Sequence, residues 1–110
     1  MKFDDEIDIS QDHIIKLYKM YGHNMLLCIS IEELSELTKE ITKYHRGKDN
    51  LDAMAEEMAH VLICIDELAH MLGIPKWKIQ AEIDRKYAQF KEEEITNEVP
   101  HPNATGKTGS

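Results

Sequence analysis

Positive charge is scarce in this chain. Only 13 lysines and arginines stand against 21 aspartates and glutamates in 110 residues, which gives a formal net charge of −8. Proteins that bind duplex nucleic acid usually present a basic face that displaces counterions, and attachment to an anionic membrane surface also depends on basic residues. The composition therefore argues against both partners. An acidic protein that binds phosphates normally needs a divalent cation between its carboxylates and the phosphate groups.

The sequence also has no long apolar run and only two cysteines. No apolar run approaches the roughly 18 to 20 residues that a membrane span requires, and no charged-then-apolar signal segment opens the sequence. We therefore expect a cytoplasmic protein with no membrane partner. Its two cysteines, Cys28 and Cys64, each lie in an apolar stretch. We expect them to be buried free thiols, because a disulfide is uncommon in the cytosol.

Several catalytic arrangements are missing as well. No arrangement of Ser, His and Asp in the sequence indicates a catalytic triad. The sequence also has no glycine-rich phosphate loop and no paired CxxC motif. It also has no alternating apolar-polar stretch long enough to predict a sheet, so we expect an all-α fold. A chain of this length, with 42% apolar residues, forms one small core, and proteins of this size often gain stability by oligomerising.

Helical spacing of apolar residues predicts four helical segments. They cover approximately residues 9–21, 24–44, 51–72 and 75–94. Ser10 is the predicted N-cap of the first segment, and Gly22 and Gly73 are predicted to end the first and third. We expect a single helical domain over residues 1–95. Residues 96–110 are rich in Pro, Asn, Gly, Thr and Ser, and we expect a disordered tail there.

Glutamates interrupt the apolar stripes of the second and third segments. At about 100° per residue, Glu33 falls in the middle of one stripe, and Glu57 falls within the other with His60 at its edge. Facing carboxylates repel each other, and burying them uncompensated costs several kcal/mol. We expect Lys39 and Lys43 to project elsewhere, so a divalent cation such as Mg²⁺ or Mn²⁺ is the better partner. The alternative is a solvated acidic helix face.

Three basic residues stand near these segments in the sequence. Arg46 and Lys48 lie in the loop between the second and third segments, and Lys86 lies in the fourth. Each is interpreted in two ways. They are candidate phosphate-binding residues beside the metal, or they are ordinary surface cations, which in the loop would favour a helix C-terminus.

The two glutamate motifs together resemble a known family. The sequence EELSE at positions 32–36 is followed by EMAHVL at positions 57–62. This arrangement resembles the all-α, MazG-like nucleoside triphosphate pyrophosphohydrolases, which include MazG, the dimeric dUTPases, the dCTP pyrophosphatases and the phosphoribosyl-ATP pyrophosphohydrolases. Their signature is EExxE on one helix and ExxD on the next, and the similarity extends over about residues 9–90. It implies a four-helix protomer whose bundle is completed in a homodimer or a dimer of dimers.

The resemblance also implies a reaction and a set of site residues. A nucleoside triphosphate would be cleaved to the monophosphate and pyrophosphate by a carboxylate-activated water, with Mg²⁺ neutralising the developing charge. The implied metal ligands are Glu33, Glu36, Glu57 and, in the last signature position, His60. The implied catalytic residues are Glu32 and Glu33. Glu32 would act as a ligand or as a base that orients the water.

His60 departs from the family pattern, which has Asp at this position. An imidazole is a poor ligand for Mg²⁺ and a better one for Mn²⁺, Co²⁺ or Zn²⁺. The enzyme would then use a softer ion, work weakly, or bind nucleotide without catalysis. Neither Asp66 nor Glu67 is expected to replace His60, since the first projects away from Glu57 and the second lies two turns further along. A helical protein-interaction module, with its acidic stripe against a basic partner, is the alternative from another class.

Overall fold

The computed structural model describes residues 2–96 and is all-helical over them, as predicted. Its helices are α1 (Gln11–His45), α2 (Leu51–Leu72) and α3 (Lys76–Thr96). Within this range no strand forms, and an isolated antiparallel bridge joins Lys2 to Asp8. No helix in the described range is both long and apolar enough to cross a membrane. Apart from Thr96, the tail predicted at residues 96–110 lies outside the described residues.

Helix α1 contains both of the first two predicted segments. Ser10 caps it as predicted, and its hydroxyl accepts a hydrogen bond from the His13 N–H at 3.4 Å. Gly22 interrupts it with φ 79° and ψ 178°. This backbone conformation is open to glycine and strains other residues. The predicted stop at Gly22 is therefore a kink where two helical stretches meet.

Helices α1 and α2 pack against each other within one compact unit, Met1–Pro75. The apolar residues buried there are Ile14, Leu26, Val61, Cys64 and Ala69. Both cysteines are free thiols, as expected. Cys64 is buried, whereas the expected burial of Cys28 was wrong, because that side chain is exposed. The Asp66 carboxylate is also buried and accepts a hydrogen bond from Gln11 Nε2 at 2.7 Å, which ties the start of α1 to α2.

The turn between α1 and α2 is fixed by Asn50. Its side-chain amide donates to the carbonyl oxygen of Glu40 at 2.9 Å and to the carboxylate of the same residue at 2.7 Å. The bond to the carboxylate, with a further one from Lys43, lowers the pKa of Glu40. Gly73, in the left-handed conformation, ends α2 at the predicted position. Helix α3 belongs to a second compact unit, Lys76–Ser110.

Candidate metal centre

Three of the four predicted metal ligands converge between α1 and α2. The Nδ1 atom of His60 lies 3.2 Å from a carboxylate oxygen of Glu33 and 3.3 Å from one of Glu57. Glu57 and His60 share one face of α2 because they are three residues apart, and Glu33 reaches them from α1. All three donor atoms lie within 4.8 Å of one another. We call Glu33, Glu57 and His60 the metal cluster.

The cluster has more negative charge than its own residues neutralise. The Glu33 and Glu57 side chains are 26% and 18% exposed, so solvent screens them only in part. Among the described residues no lysine or arginine forms an ion pair with either carboxylate, and His60 is charged only when protonated. Two carboxylates therefore share at most one positive charge, which leaves a net attraction for a cation.

The donor set and its spacing fit a divalent cation. Ligand atoms bound to one ion at about 2.1 Å are separated by roughly 3.0 to 3.4 Å in octahedral or tetrahedral geometry. The two N–O separations of 3.2 and 3.3 Å fall in this range. Two carboxylate oxygens and one imidazole nitrogen make a mixed set. Mn²⁺, Co²⁺ and Zn²⁺ accept imidazole more readily than Mg²⁺ does.

The other two signature glutamates lie beside the cluster rather than within it. The Glu36 carboxylate pairs with Lys39 Nζ at 3.4 Å, and Glu40 pairs with Lys43 in the same way at 3.2 Å. The expectation that both lysines project away from the glutamates was wrong, because a spacing of three residues puts each on the side of its partner. Glu32 is exposed, and it borders a surface hollow of about 490 Å³ together with Glu33, Glu36 and Lys39.

Two of the three predicted phosphate-binding residues, Arg46 and Lys48, lie at the turn after α1, and no described contact joins either to the cluster. Arg46 is the C-cap of α1, and its backbone N–H bonds to Thr42 and Lys43. Lys48 follows in the same turn and is exposed. These positions agree with a cation at a helix C-terminus. Lys86 lies on α3 in the second unit, with its ammonium 5.3 Å from the ring centre of Phe90.

A cavity of about 220 Å³ adjoins the cluster between α1 and α2. Glu33 and His60 line one part of it, and apolar side chains make up most of the remaining wall. The apolar lining residues include Leu17, Leu26, Ile29 and Ile63. Since Leu17 precedes the kink at Gly22 and Leu26 follows it, both stretches of α1 contribute to the wall. The cavity therefore depends on the kink as well as on the pairing of the helices.

Glu67 also lines this cavity, and the sequence analysis considered it only as a replacement for His60. The residue is 2% exposed, and neither of its carboxyl oxygens has a hydrogen-bond partner among the described residues. Burial raises its pKa, an effect that His70 opposes and Asp66 reinforces. Burial also raises the pKa of the nearby Cys64 thiol, although a hydrogen bond with Ser30 opposes that rise. The missed signal was the seven-residue spacing from His60, which puts Glu67 on the same helix face.

Comparison of the chain with protein-family models, curated proteins and solved structures found no match. The relationship to the MazG-like family stays a prediction from the two motifs. The geometry of the cluster and the cavity is therefore the main basis for the function proposed below.

Proposed function

We propose that the protein is a metal-dependent nucleotide pyrophosphohydrolase that cleaves a nucleoside triphosphate to the monophosphate and pyrophosphate. One observation carries the proposal: Glu33, Glu57 and His60 come from two helices and bring their donor atoms within 4.8 Å of one another. The reaction type is supported by the resemblance of the EELSE and EMAHVL motifs to the family signature. The acidic composition also agrees with it, because an acidic chain needs a cation to bind a triphosphate.

The metal cluster, Glu32 and Lys39 have separate roles in the proposed reaction. Glu33, Glu57 and His60 would hold a divalent cation, which would neutralise the triphosphate and stabilise the charge that develops on its oxygens. The Glu32 carboxylate orients a water molecule in the adjoining hollow and accepts its proton. The water oxygen bonds to the α-phosphorus, and the bond from that phosphorus to the oxygen bridging the α- and β-phosphates breaks. Pyrophosphate then leaves with the bridging oxygen. Lys39, which pairs with Glu36 and lines the same hollow, is the lysine that we assign to a phosphate oxygen.

The proposed ion is Mg²⁺ or Mn²⁺, and His60 favours Mn²⁺. The proposed assembly is a homodimer or a dimer of dimers, in which partner helices complete a four-helix bundle. Exposed apolar side chains support this assembly. Ile31, Leu34 and Ile41 lie on one side of α1 at helical spacing, and they are 64%, 48% and 51% exposed. Apolar surface of this kind often marks a protein interface.

A second candidate is a relative that binds nucleotide without cleaving it. The observation that favours it is the position of His60 Nδ1, which lies between the two carboxylates within 3.3 Å of both. A protonated imidazole there would offset one of the two negative charges from within the protein. Such a cluster would attract metal more weakly and would retain less catalytic power.

The test is pyrophosphate release from a panel of dNTPs and NTPs, with Mg²⁺ and Mn²⁺ assayed in parallel. Glu57→Gln should abolish release, and Glu56→Gln is the matched control because Glu56 is the exposed neighbour on the same helix. We expect metal-dependent pyrophosphate release from the wild type and from Glu56→Gln, and none from Glu57→Gln. Nucleotide binding without release from any substrate would favour the second candidate. An absence of both binding and release would favour a protein-interaction module.

A further inference from the structure

The cavity beside the metal cluster has the size and lining of a site for one aromatic ring. An apolar cavity of about 150 Å³ is large enough to bind benzene, and this cavity measures about 220 Å³. Leu17, Ile29 and Ile63 supply apolar walls, whereas Glu33 of the cluster supplies part of the lining. A ligand that fills the cavity and also reaches the cluster therefore combines a ring with a group that a bound cation attracts.

A buried polar group in the cavity wall has no hydrogen-bond partner among the described residues. Ser30 already donates its hydroxyl proton to the carbonyl oxygen of Leu26 at 2.8 Å. Glu67, in contrast, has two covered carboxyl oxygens with no partner among the described residues. A buried polar group of this kind is costly unless it is hydrogen-bonded. Because the same side chain lines the cavity, its carboxyl group is a candidate partner for a ligand bound there.

The chemistry of a carboxyl group limits the ligands that satisfy it. A protonated carboxyl offers an O–H donor and a carbonyl acceptor side by side. A heterocycle with an amino group next to a ring nitrogen offers the complementary donor and acceptor. Such a ring nitrogen also has the capacity to take up the carboxyl proton, and the resulting charge-assisted pair is stronger. A ring with a keto group next to N–H forms two neutral bonds but lacks that option.

We propose that the cavity holds the base of the nucleotide and that Glu67 selects bases with an amino group beside a ring nitrogen. This inference rests on the proposed function, because it assigns the phosphates of the same ligand to the metal cluster. Glu67 acts here as a specificity-determining residue. It touches the base, and it takes no part in cleavage of the phosphate chain.

A matched pair of ligands tests this selection. The α,β-imido analogues of dCTP and dUTP resist cleavage and differ in the base only at the amino or keto edge. Their affinities are measured by calorimetry with Mn²⁺ for the wild type, Glu67→Gln and Glu67→Leu, with Glu56→Gln as the exposed control on the same helix. Thermal unfolding of each variant verifies that it is folded.

The expected pattern is specific to recognition. The wild type and the Glu56→Gln control should bind the dCTP analogue about tenfold more tightly than the dUTP analogue, within the range of one good bidentate contact. Glu67→Gln should reduce this preference to about threefold or less, because an amide pairs with either edge and cannot give up a proton. Glu67→Leu should weaken the dCTP analogue by about tenfold, since its amino group loses a partner.

Two results would overturn the inference. The first is equal affinity of the wild type for the two analogues, and the second is a dCTP preference that survives in Glu67→Gln. If Glu67→Leu does not fold, Glu67→Gln carries the test alone. Pyrophosphate release by the same preparations separates this inference from the proposed function. Release without base preference overturns the inference alone, and preference without release overturns the proposed function alone.

Discussion

Glu33 and Glu36 lie three residues apart on α1, yet their carboxylates have different partners. Glu36 pairs with Lys39 on its own helix, at a largely exposed position. Glu33 instead faces α2 and meets Glu57 and His60. An exposed ion pair contributes only about 0 to 1 kcal/mol, and it needs nothing from outside the chain. A glutamate motif alone therefore does not define a metal site, because a lysine one turn away removes the need for a cation.

The largest expected effect comes from the same substitution made at both positions. Glu33→Gln deletes a ligand of the metal cluster, so we expect Mn²⁺ affinity to fall by about 100-fold or more, beyond the usual cost of losing a residue that only supports a ligand. Glu36→Gln breaks a local pair with Lys39 and should change Mn²⁺ affinity by less than about tenfold. Calorimetric titration of Mn²⁺ into both variants measures the difference.

Equal losses in the two variants would remove the distinction and make Glu36 a ligand, as the family signature implies. A metal response that persists in Glu33→Gln would instead make Glu33 a structural residue. Thermal unfolding without metal provides the control for folding. It should show little or no loss of stability in Glu33→Gln, because the substitution removes one repelling charge from the cluster.

The next largest effect concerns His60, the residue that distinguishes this cluster from an all-carboxylate site. His60→Asp restores an anionic oxygen at the spacing of the family signature. We expect Mg²⁺-supported pyrophosphate release to rise at least about tenfold, which corresponds to 1.4 kcal/mol of barrier. The ratio of Mn²⁺ to Mg²⁺ activity should be larger in the wild type than in the variant. Unchanged Mg²⁺ activity in an active pair of proteins would mean that residue 60 does not bind the ion.

The smallest effect concerns Glu67, a carboxyl group with neither a lysine nor the metal cluster as its partner. Its pKa is raised by burial, so the folded state holds the proton more tightly than the unfolded chain does. This contribution to stability is present in acid and is lost as the pH rises through the raised pKa. Glu67→Gln has no such proton to lose. The free energy of unfolding of Glu67→Gln minus that of the wild type should therefore increase as the pH rises, by about 1 kcal/mol or more.

Denaturant unfolding of both proteins, between roughly pH 4 and pH 8, measures this difference. Glu56→Gln, which removes an exposed carboxylate from the same helix, controls for the change in net charge. A constant offset between the Glu67→Gln and wild-type curves would reflect packing of the amide. Only a difference that grows with pH supports the buried, raised-pKa carboxyl. A difference that shrinks with pH would contradict it.

The sequence predicted the helices and the centre of the cluster for clear physical reasons. Helix α2 ends next to Gly73 as predicted because a left-handed glycine satisfies its last carbonyl groups. Glu33 and Glu57 fell within apolar stripes, so helical phase alone indicated that they would face each other. The sequence also predicted helix on both sides of Gly22, but not that the two segments run on as one kinked helix, α1.

Features that depend on tertiary packing escaped prediction. The partner of Glu36 depends on the conformations of two long side chains on one helix turn, and apolar periodicity carries no information about them. The cavity and Glu67 depend on the kink in α1 and on how the two helices pack. A carboxyl two turns beyond His60 lies on the same face in any helix. Only the packed structure gives it burial and removes its partners.

We propose that Glu33, Glu57 and His60 together bind a divalent cation. Thermal unfolding of the wild type in millimolar MnCl₂, against NaCl of matched ionic strength, tests it most directly because it requires neither a substrate nor catalysis. An ion that binds only the folded state stabilises it by about 2.7 kcal/mol at a hundredfold excess over Kd. We therefore predict a higher Tm in MnCl₂ than in NaCl. The same Tm in both salts would contradict the claim.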